Sequence, residues 1–353
     1  MQIIKGLGEK FDFINPVVTI GNFDGLHIGH QKILQKVIKI SKQFGGTPVA
    51  ITFEPHPVKV LTPERDLKML MTLDDKIKLL SQFGLKALII IPFDRQFSLT
   101  EPETFIKDIL VDKIGIRWLI VGHNFSFGKR KKGNTNLLRQ KAKKYGFGFS
   151  VVRYAMERGC IVSSSRIRSL IEKGKVFEAS EMLDRAYHVR GVVIKGTGRG
   201  AAVLNIPTAN IKPVNEILPK EGVYAVRVSF ANSETGLQSS EVISNSSQFI
   251  IPPNVFEGAA NIGKNPTFGD IENVILEVHI LNFSQNLLGK ELLIHFVDRI
   301  RDERKFSSVV ELQKHIVADI NLAKKILNRK KPRLFLSDLY SLQHKSISAF
   351  SQV

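Results

Sequence analysis

The stretch Val17-Val18-Thr19-Ile20-Gly21-Asn22-Phe23-Asp24-Gly25-Leu26-His27-Ile28-Gly29-His30 carries the fold assignment of this chain. Its first four residues are β-branched and do not alternate with polar ones, the composition of a strand buried on both faces of a parallel sheet. Gly-Asn-Phe-Asp-Gly is turn chemistry. Downstream, Ile33, Leu34, Val37, Ile38 and Phe44 recur at helical spacing, so a strand hands over to a helix and His27 and His30 stand at the handover. In an open α/β sheet this is where phosphates meet unpaired backbone N–H groups. Gly21, Asn22, Phe23, Asp24 and Gly25 are therefore candidate nucleotide-binding residues. The two imidazoles suit nucleotidyl transfer, because a phosphate nucleophile needs no general base. It needs alignment, and donors for the charge growing on the α-phosphate and the departing pyrophosphate. A single histidine in such a turn would more often cap the helix or fill the core. A pair flanking a glycine favours the phosphate site.

On either side of this stretch the first half of the chain alternates strands and helices. Apolar segments at 48–53, 87–92, 118–121 and 149–153 read as buried parallel strands. Thr100 with Glu103 reads as a capping box opening a helix through Ile106 and Leu110, and Thr72 with Asp75 opens another. The βαβ succession predicts a doubly wound, Rossmann-like parallel sheet with right-handed crossovers. Near residue 185 short alternating strands separated by Gly, Asn and Pro turns take over, among them 223–230, 274–281 and 291–297, which predicts a compact antiparallel barrel. A last helix opens with Ser308 capping against Glu311 and carries Leu312, Ile316, Ile320, Ala323 and Leu327 on one face, suited to packing on the barrel. The expected organisation is α/β plus β: an α/β domain at 1–184, a barrel domain at 185–328 and an unassigned tail at 329–353.

Composition bounds the rest. At 353 residues two domains are expected, and the single cysteine, Cys160, excludes an internal disulfide and a multi-cysteine zinc site. No apolar run approaches membrane-spanning length and no signal-peptide pattern opens the chain, so a cytoplasmic protein without a membrane partner is expected. The net charge of +18 favours anionic partners without choosing among nucleotides, RNA and acidic surfaces.

Four further constellations are candidates for chemistry. Gly122-His123-Asn124-Phe125-Ser126-Phe127-Gly128 follows a predicted strand, at the same carboxyl edge as the histidines. Asn124 is suited to bonding a ribose or base and the phenylalanines to walling a pocket; an ordinary loop with buried aromatics reads equally well. Ser163, Ser164 and Ser165, followed by Arg166 and Arg168 at a helix start, make either a phosphate cradle or a plain serine cap. In Gly196-Thr197-Gly198-Arg199-Gly200 the glycines let backbone amides approach a phosphate, and in Pro207-Thr208-Ala209-Asn210 the Thr208 and Asn210 oxygens lie on one side of extended chain, where a hard cation would bind. The alternative for Gly196, Gly198, Arg199 and Gly200 is a flexible hairpin. In Leu276-Glu277-Val278-His279-Ile280, alternation sets Glu277 and His279 opposite the three apolar residues, so Glu277 is either a base for a hydroxyl nucleophile or a solvent-facing carboxylate.

Taken in order, these motifs resemble the prokaryotic bifunctional riboflavin kinase and FAD synthetase family. To those already quoted the resemblance adds Phe53-Glu54-Pro55-His56-Pro57, Gly222-Val223-Tyr224-Ala225 and Asn261-Ile262-Gly263-Lys264-Asn265-Pro266-Thr267-Phe268-Gly269. The resemblance covers about residues 17–327. It implies that the barrel phosphorylates riboflavin with ATP to give FMN, and that the N-terminal domain adenylylates FMN with a second ATP to give FAD and pyrophosphate. It further implies that His27 and His30 stabilise the triphosphate, that Asn124, Ser164, Ser165 and Arg168 complete that nucleotide site, that Thr208 and Asn210 hold Mg²⁺ with ATP, and that Glu277 is the kinase base. The family usually has threonine at the place of Ser165 and glycine at that of Asn205, and its connection corresponding to 232–253 is shorter.

Two other readings follow from parts of the chain. A different His-x-Gly-His adenylyltransferase or an aminoacyl-tRNA synthetase shares the opening motif, but no Lys-Met-Ser-Lys-like loop is evident. An RNA-binding protein is suggested by Lys129-Arg130-Lys131-Lys132 with Arg139, Lys141, Lys143 and Lys144, a run without the interleaved aromatics of a stacking platform. A solvated helix face accounts for that run, so the expected partners are riboflavin, FMN and ATP, with no nucleic acid, and the expected state is a monomer or weak homo-oligomer.

Overall fold

A computed structural model describes residues 1–8, 10–196, 207–231, 255–265, 273–304 and 306–329. Its contacts divide the chain into two compact units, Met1–Ser164 and Ser165–Val353.

In the first unit the strands run β1 (Gln2–Lys5), β2 (Val17–Ile20), β3 (Pro48–Glu54), β4 (Ala87–Pro92), β5 (Trp118–Gly122), β6 (Ser126–Phe127), β7 (Gly133–Asn134), β8 (Gly148–Val152), β9 (Met156–Glu157) and β10 (Cys160–Ile161). Six of them form one parallel sheet in the order β1-β4-β3-β2-β5-β8. The expected doubly wound sheet is present. All four residues of β2 are buried, as a strand with neighbours on both sides and helices on both faces must be. The edge strand β1 escapes the sequence reading because two isoleucines between polar residues make too short a run. From β2 the chain steps outward through β3 to β4, then returns to the other side of β2 at β5. The order reverses between β2 and β5, and the crevice at the carboxyl ends of these two strands is where such sheets bind ligands.

Helix α1 (Ile28–Gln43) packs on this sheet through Leu34 and Val37, both fully buried, each stabilising the unit by roughly 1.5–3 kcal/mol. The Thr72 cap is as expected: its hydroxyl accepts from the Asp75 N–H at 3.1 Å and donates to the Asp75 carboxylate at 2.9 Å. The Thr100 capping box is not formed. Pro102 occupies the first helical position, where its fixed φ favours a helix start, so the cap falls to Glu101 without a side-chain bond, and Phe105–Lys113 continues as π-helix. The basic run also divides differently from a single helix face. Lys129–Lys131 form the tip of the β6–β7 hairpin, and only Arg139 to Lys144 lie on the helix Thr135–Tyr145.

In the second unit β11 (Tyr187–Ile194), β12 (Ala209–Pro213), β13 (Gly222–Phe230), β14 (Val255–Asn265), β15 (Asn273–Ile280) and β16 (Glu291–Arg301) close an antiparallel barrel in the order β11-β12-β15-β14-β13-β16. Alternate residues such as Val189, Ile211, Val226, Val228, Ile262, Leu276, Val278, Ile294 and Phe296 are buried. The helix Val309–Arg329 starts as expected, with the Glu311 N–H donating to Ser308 Oγ at 3.2 Å, and buries Ala323 and Leu327 against Ala225 and Val297. Two cations tie it down: Arg301 grips Asp319 at 2.7–3.1 Å, and the buried Arg227 guanidinium donates to the Leu327 carbonyl at 3.0 Å.

Candidate active sites

At the crevice of the first unit, the turn after β2 is held from below. Phe23 and Leu26, both fully buried, anchor it at φ +50° and +39°, with Gly25 between them at +76°. His27 then caps α1: its Nδ1 accepts from the His30 N–H at 3.3 Å. With Nδ1 accepting, the neutral ring carries its proton on Nε2. One turn on, the His30 ring stacks on that of His27 at 3.7 Å between centroids and 15° between planes, with the Phe23 ring at 5.4 Å edge-on. Gly29 permits the stack, since a Cβ there would lie 3.0 Å from His27 Cε1 and 3.1 Å from Nδ1.

His30 Nδ1 is buried and has no hydrogen-bond partner among the described residues. Burial, then the neighbouring His27 and then Lys76 hold the His30 pKa well below 6.5. In such surroundings the His30 imidazole stays neutral and presents an N–H group and a lone pair instead of a charge. The first turn of α1 contains no acidic residue, so the helix N-terminus is left open to an anion.

Four further groups border this turn. Asp24 is 2% exposed, its Oδ1 accepts from the Leu70 N–H at 3.0 Å, and its carbonyl accepts from Ser164 Oγ at 2.8 Å. Ser163 precedes Ser164 at the same helix start, and Ser165 and the half-buried Arg168 continue that helix within the second unit. The Asn22 amide lies 2.9 Å from His56 Nε2, while His56 Nδ1 accepts from the Val58 N–H and caps the short helix Pro57–Leu61. Lys76 is 2% exposed, with its ammonium 4.0 Å from the Glu54 carboxylate. Its pKa is lowered by burial against the opposing pull of Glu54 and Asp24. Lys76 was not among the sequence candidates. Its signal was a lysine on the buried face of an amphipathic helix, one turn before Leu79 and Leu80.

Asn124 stands exposed in the turn after β5, on the other bank of the crevice. Phe125 and Phe127 stack on each other at 5.5 Å, and Phe127 continues into Phe105. The rings thus belong in part to the core.

In the barrel, Glu277 of β15 is in register with Asn210 of β12 on one side and Asn261 of β14 on the other. Leu276 and Val278 point into the core, as alternation predicts. Glu277 is half-buried instead of solvent-facing, and burial raises its pKa above 4.5. It has no hydrogen-bond or ion-pair partner among the described residues. At the end of β12 a cavity of about 360 Å³ is lined by Gly196, Thr208, Asn210, Phe283 and Leu287. The Asn210 amide packs onto Gly196, and His279 Nδ1 donates to the Pro207 carbonyl at 2.8 Å. Thr208 and Asn210 thus line one cavity. Gly198, Arg199 and Gly200 lie outside the described residues, as do Asn205, 266–272, the 232–253 connection and the tail beyond 329. No cluster of three His, Cys, Asp or Glu side chains able to hold a metal occurs among the described residues. The oxygens of Thr208 and Asn210 suit a hard cation that takes most of its ligands from a polyphosphate.

The chain thus joins two units: a parallel sheet with a histidine pair at its switch point, followed in the chain by an antiparallel barrel with a cavity of about 360 Å³ and a half-buried glutamate. The family profile for FAD synthetase matches residues 12–166, and that for riboflavin kinase matches residues 183–327. Among curated relatives, a bifunctional riboflavin kinase/FMN adenylyltransferase from Buchnera aphidicola of Schizaphis graminum is 34% identical over 93% of this chain and 99% of its own length. The Escherichia coli K12 protein of the same description is 30% identical over 94% of this chain and 100% of its own. A crystal structure described as a macrolide-efflux protein from Streptococcus pneumoniae superposes with a TM-score of 0.77 at 28% identity, covering 92% of this chain and 99% of that one. Among the described residues no helix is long and apolar enough to cross a membrane. The chain belongs to the bifunctional riboflavin kinase/FMN adenylyltransferase family.

Proposed function

We propose the following division of labour in the family's two reactions, phosphorylation of riboflavin by ATP to FMN and adenylylation of FMN by a second ATP to FAD. In the parallel-sheet unit an FMN phosphate oxygen attacks the α-phosphorus of ATP, and the bond to the bridging oxygen of the leaving pyrophosphate breaks. His27 and His30 donate to the phosphate oxygens as charge grows on them. The open start of α1 and the backbone of Gly21, Asn22, Phe23, Asp24 and Gly25 hold the chain of phosphates, and Asn124 reads ribose or base. Ser163, Ser164, Ser165 and Arg168 complete the nucleotide site. The His27–His30 stack at the switch point, with His30 buried and held neutral, is the observation that supports this reading.

In the barrel, Glu277 takes the proton of the ribityl hydroxyl as its oxygen attacks the γ-phosphorus, and ADP leaves. Thr208 and Asn210 hold the ATP phosphates together with Mg²⁺, while Gly196, Gly198, Arg199 and Gly200 bring backbone amides to them. Bound Mg²⁺ supplies charge neutralisation. The protein acts in the cytoplasm as a monomer or weak homo-oligomer. Incubation with riboflavin, ATP and Mg²⁺ followed by separation of flavins is expected to give FMN and then FAD. His30→Ala is expected to accumulate FMN without FAD, and Glu277→Ala to block FMN formation while still converting supplied FMN. Loss of both activities in either variant would contradict the separation of roles.

A further inference from the structure

His56 follows the carboxyl end of β3 and is 9% exposed. Its Nδ1 accepts from the Val58 N–H at 3.1 Å, and its Nε2 lies 2.9 Å from Asn22 Nδ2. Asn22 belongs to the turn after β2, and its carbonyl is pinned to β3 by the buried Thr52 hydroxyl, which donates to it at 3.4 Å. The pair of side chains thus bridges the carboxyl ends of two neighbouring parallel strands, beside the histidine stack.

The two contacts of the ring constrain each other. A backbone N–H can only donate, so the Nδ1 it meets carries the lone pair, and the neutral ring has its proton on Nε2. An Nε2–H and an amide NH2 facing each other at 2.9 Å would be two donors with no acceptor between them. A ring protonated on Nδ1 relieves that clash only by creating another, against the Val58 N–H, and by removing the cap of the helix Pro57–Leu61. A half-turn of the Asn22 amide resolves both. Its oxygen and nitrogen have nearly the same shape, and the torsion that exchanges them is broad and roughly two-fold. Oδ1 then accepts from His56 Nε2–H, and the NH2 occupies the far end of the amide.

That far end makes no hydrogen bond among the described residues. No carboxylate of the turn competes for it in the way a substrate anion would. The first turn of α1 has no acidic residue, and Asp24, 2% exposed, has its Oδ1 on the Leu70 N–H.

We propose that His56 is a positioning residue for adenylyl transfer: its Nε2–H holds the Asn22 oxygen and so turns the Asn22 NH2 outward, as a donor to a phosphate oxygen of the bound substrates. The inference rests on the adenylyl-transfer reading of this crevice. Val58 N–H orients the ring and the ring orients the amide, so the donor is aimed before the substrate arrives and needs no reorganisation as charge develops. The phosphate belongs to ATP or to FMN, and kinetics tell the two apart.

Two substitutions separate the two ends of the ring. His56→Asn places an oxygen near the position of Nδ1 and keeps a good helix cap, but does not reach Asn22. His56→Gln reaches Asn22 with an N–H from near the position of Nε2 and gives up the cap. FMN adenylylation by the full chain is measured at varied ATP and at varied FMN, with riboflavin phosphorylation as the internal control. His56→Gln is expected to stay within about threefold of wild type and His56→Asn to lose about tenfold or more in kcat/KM, the worth of one hydrogen bond to a charged group. A rise in the KM for ATP assigns the contact to its triphosphate, a rise in the KM for FMN to its phosphate, and a fall in kcat to an oxygen that gains charge in the transition state. Asn22→Ala should lose as much as His56→Asn, and the double variant no more than either, as for two residues serving one contact. Nitrogen NMR of protein labelled at its nine histidines, with His56 assigned by its absence in His56→Gln, should show the tautomer protonated on Nε2. Activity retained in His56→Asn and lost in His56→Gln, or equal in the two, overturns the proposal, as does a ring protonated on Nδ1. His30→Ala is run beside them. Undiminished FAD formation there overturns the reading of the crevice itself, whereas loss there with equal rates in the two His56 variants overturns the positioning role alone.

Discussion

Gly29→Ala separates stability from adenylyl transfer in this chain. In the first turn of α1 an alanine favours the helix by up to about 1 kcal/mol over glycine. Its Cβ, however, would lie 3.0 Å and 3.1 Å from two atoms of the His27 ring, several tenths of an ångström inside ordinary contact. The His27 ring must swing away. It then loses the bond it accepts from the His30 N–H, a cap of roughly 0.5–2 kcal/mol, and the 3.7 Å stack on His30 opens. The two stability terms oppose each other, so the melting temperature should move by no more than that of a change of about 1 kcal/mol. Catalysis has no such offset. A displacement of even about 1 Å in groups that align reactants costs on the order of a hundredfold, so FMN adenylylation should fall by about ten- to a hundredfold. Riboflavin phosphorylation, carried by the barrel, should stay at its full rate. The assay is chromatographic separation of FMN and FAD, started once from riboflavin and once from FMN. Undiminished FAD formation would show that the stacked geometry is not what the reaction needs. A parallel loss of FMN formation would show instead that the substitution damages the whole protein.

Further expectations concern titration, Asn210 and the barrel helix. His30, held below 6.5, stays neutral where a free imidazole is half protonated, so the FMN adenylylation rate should remain level as pH falls through 6.5 and decline only below it. Because the folded state binds that proton less readily than the unfolded chain, the His30 contribution to stability is present above the ordinary histidine range and is lost as pH falls through it, which urea titrations of wild type and His30→Ala would register. Glu277 is shifted the other way, so the acid limb of kinase activity should lie above 4.5 and vanish in Glu277→Gln. Asn210→Ala should raise the KM for ATP in the kinase assay more than it lowers kcat, and leave adenylylation of FMN untouched. Asp319→Asn, which leaves the Arg301 guanidinium without its carboxylate, should cost about 1.5–3 kcal/mol in denaturant titration with both sites intact at low temperature.

The sheet was legible because its strands are buried on both faces and therefore read as unbroken apolar runs, as in β2 and β4. The barrel was legible through alternation, which set Leu276 and Val278 inward and Glu277 outward. What local pattern cannot convey is where one element meets another. Thr100 and Glu103 have the spacing of a capping box, yet Pro102 fixes the helix start one residue later. Solvent exposure was the simplest reading of Glu277, and its half-burial between β12 and β14 depends on strands distant in sequence. Lys76 was hidden for the same reason: its neighbours Asp24 and His30 come from the 17–30 stretch and Glu54 from β3.

Under the proposed division of labour, the contrast between the two sites follows from the protonation state of their nucleophiles. The phosphate of FMN arrives already ionised, so a carboxylate beside it would only repel it, and α1 has no acidic residue in its first turn. What the phosphate chain gains from is donors without a competing positive charge that would hold the ground state as tightly as the transition state. In the proposed reading the neutral His30, stacked on His27, supplies that. A ribityl hydroxyl arrives protonated and is a poor nucleophile until its proton has somewhere to go. A fully solvated glutamate is a weak base at neutral pH, and burial between two strands strengthens it by raising its pKa. In the proposed reading a half-buried glutamate in the barrel and a histidine pair on the sheet are therefore answers to the same problem, the charge on the attacking oxygen, posed by two substrates that differ by one phosphate group.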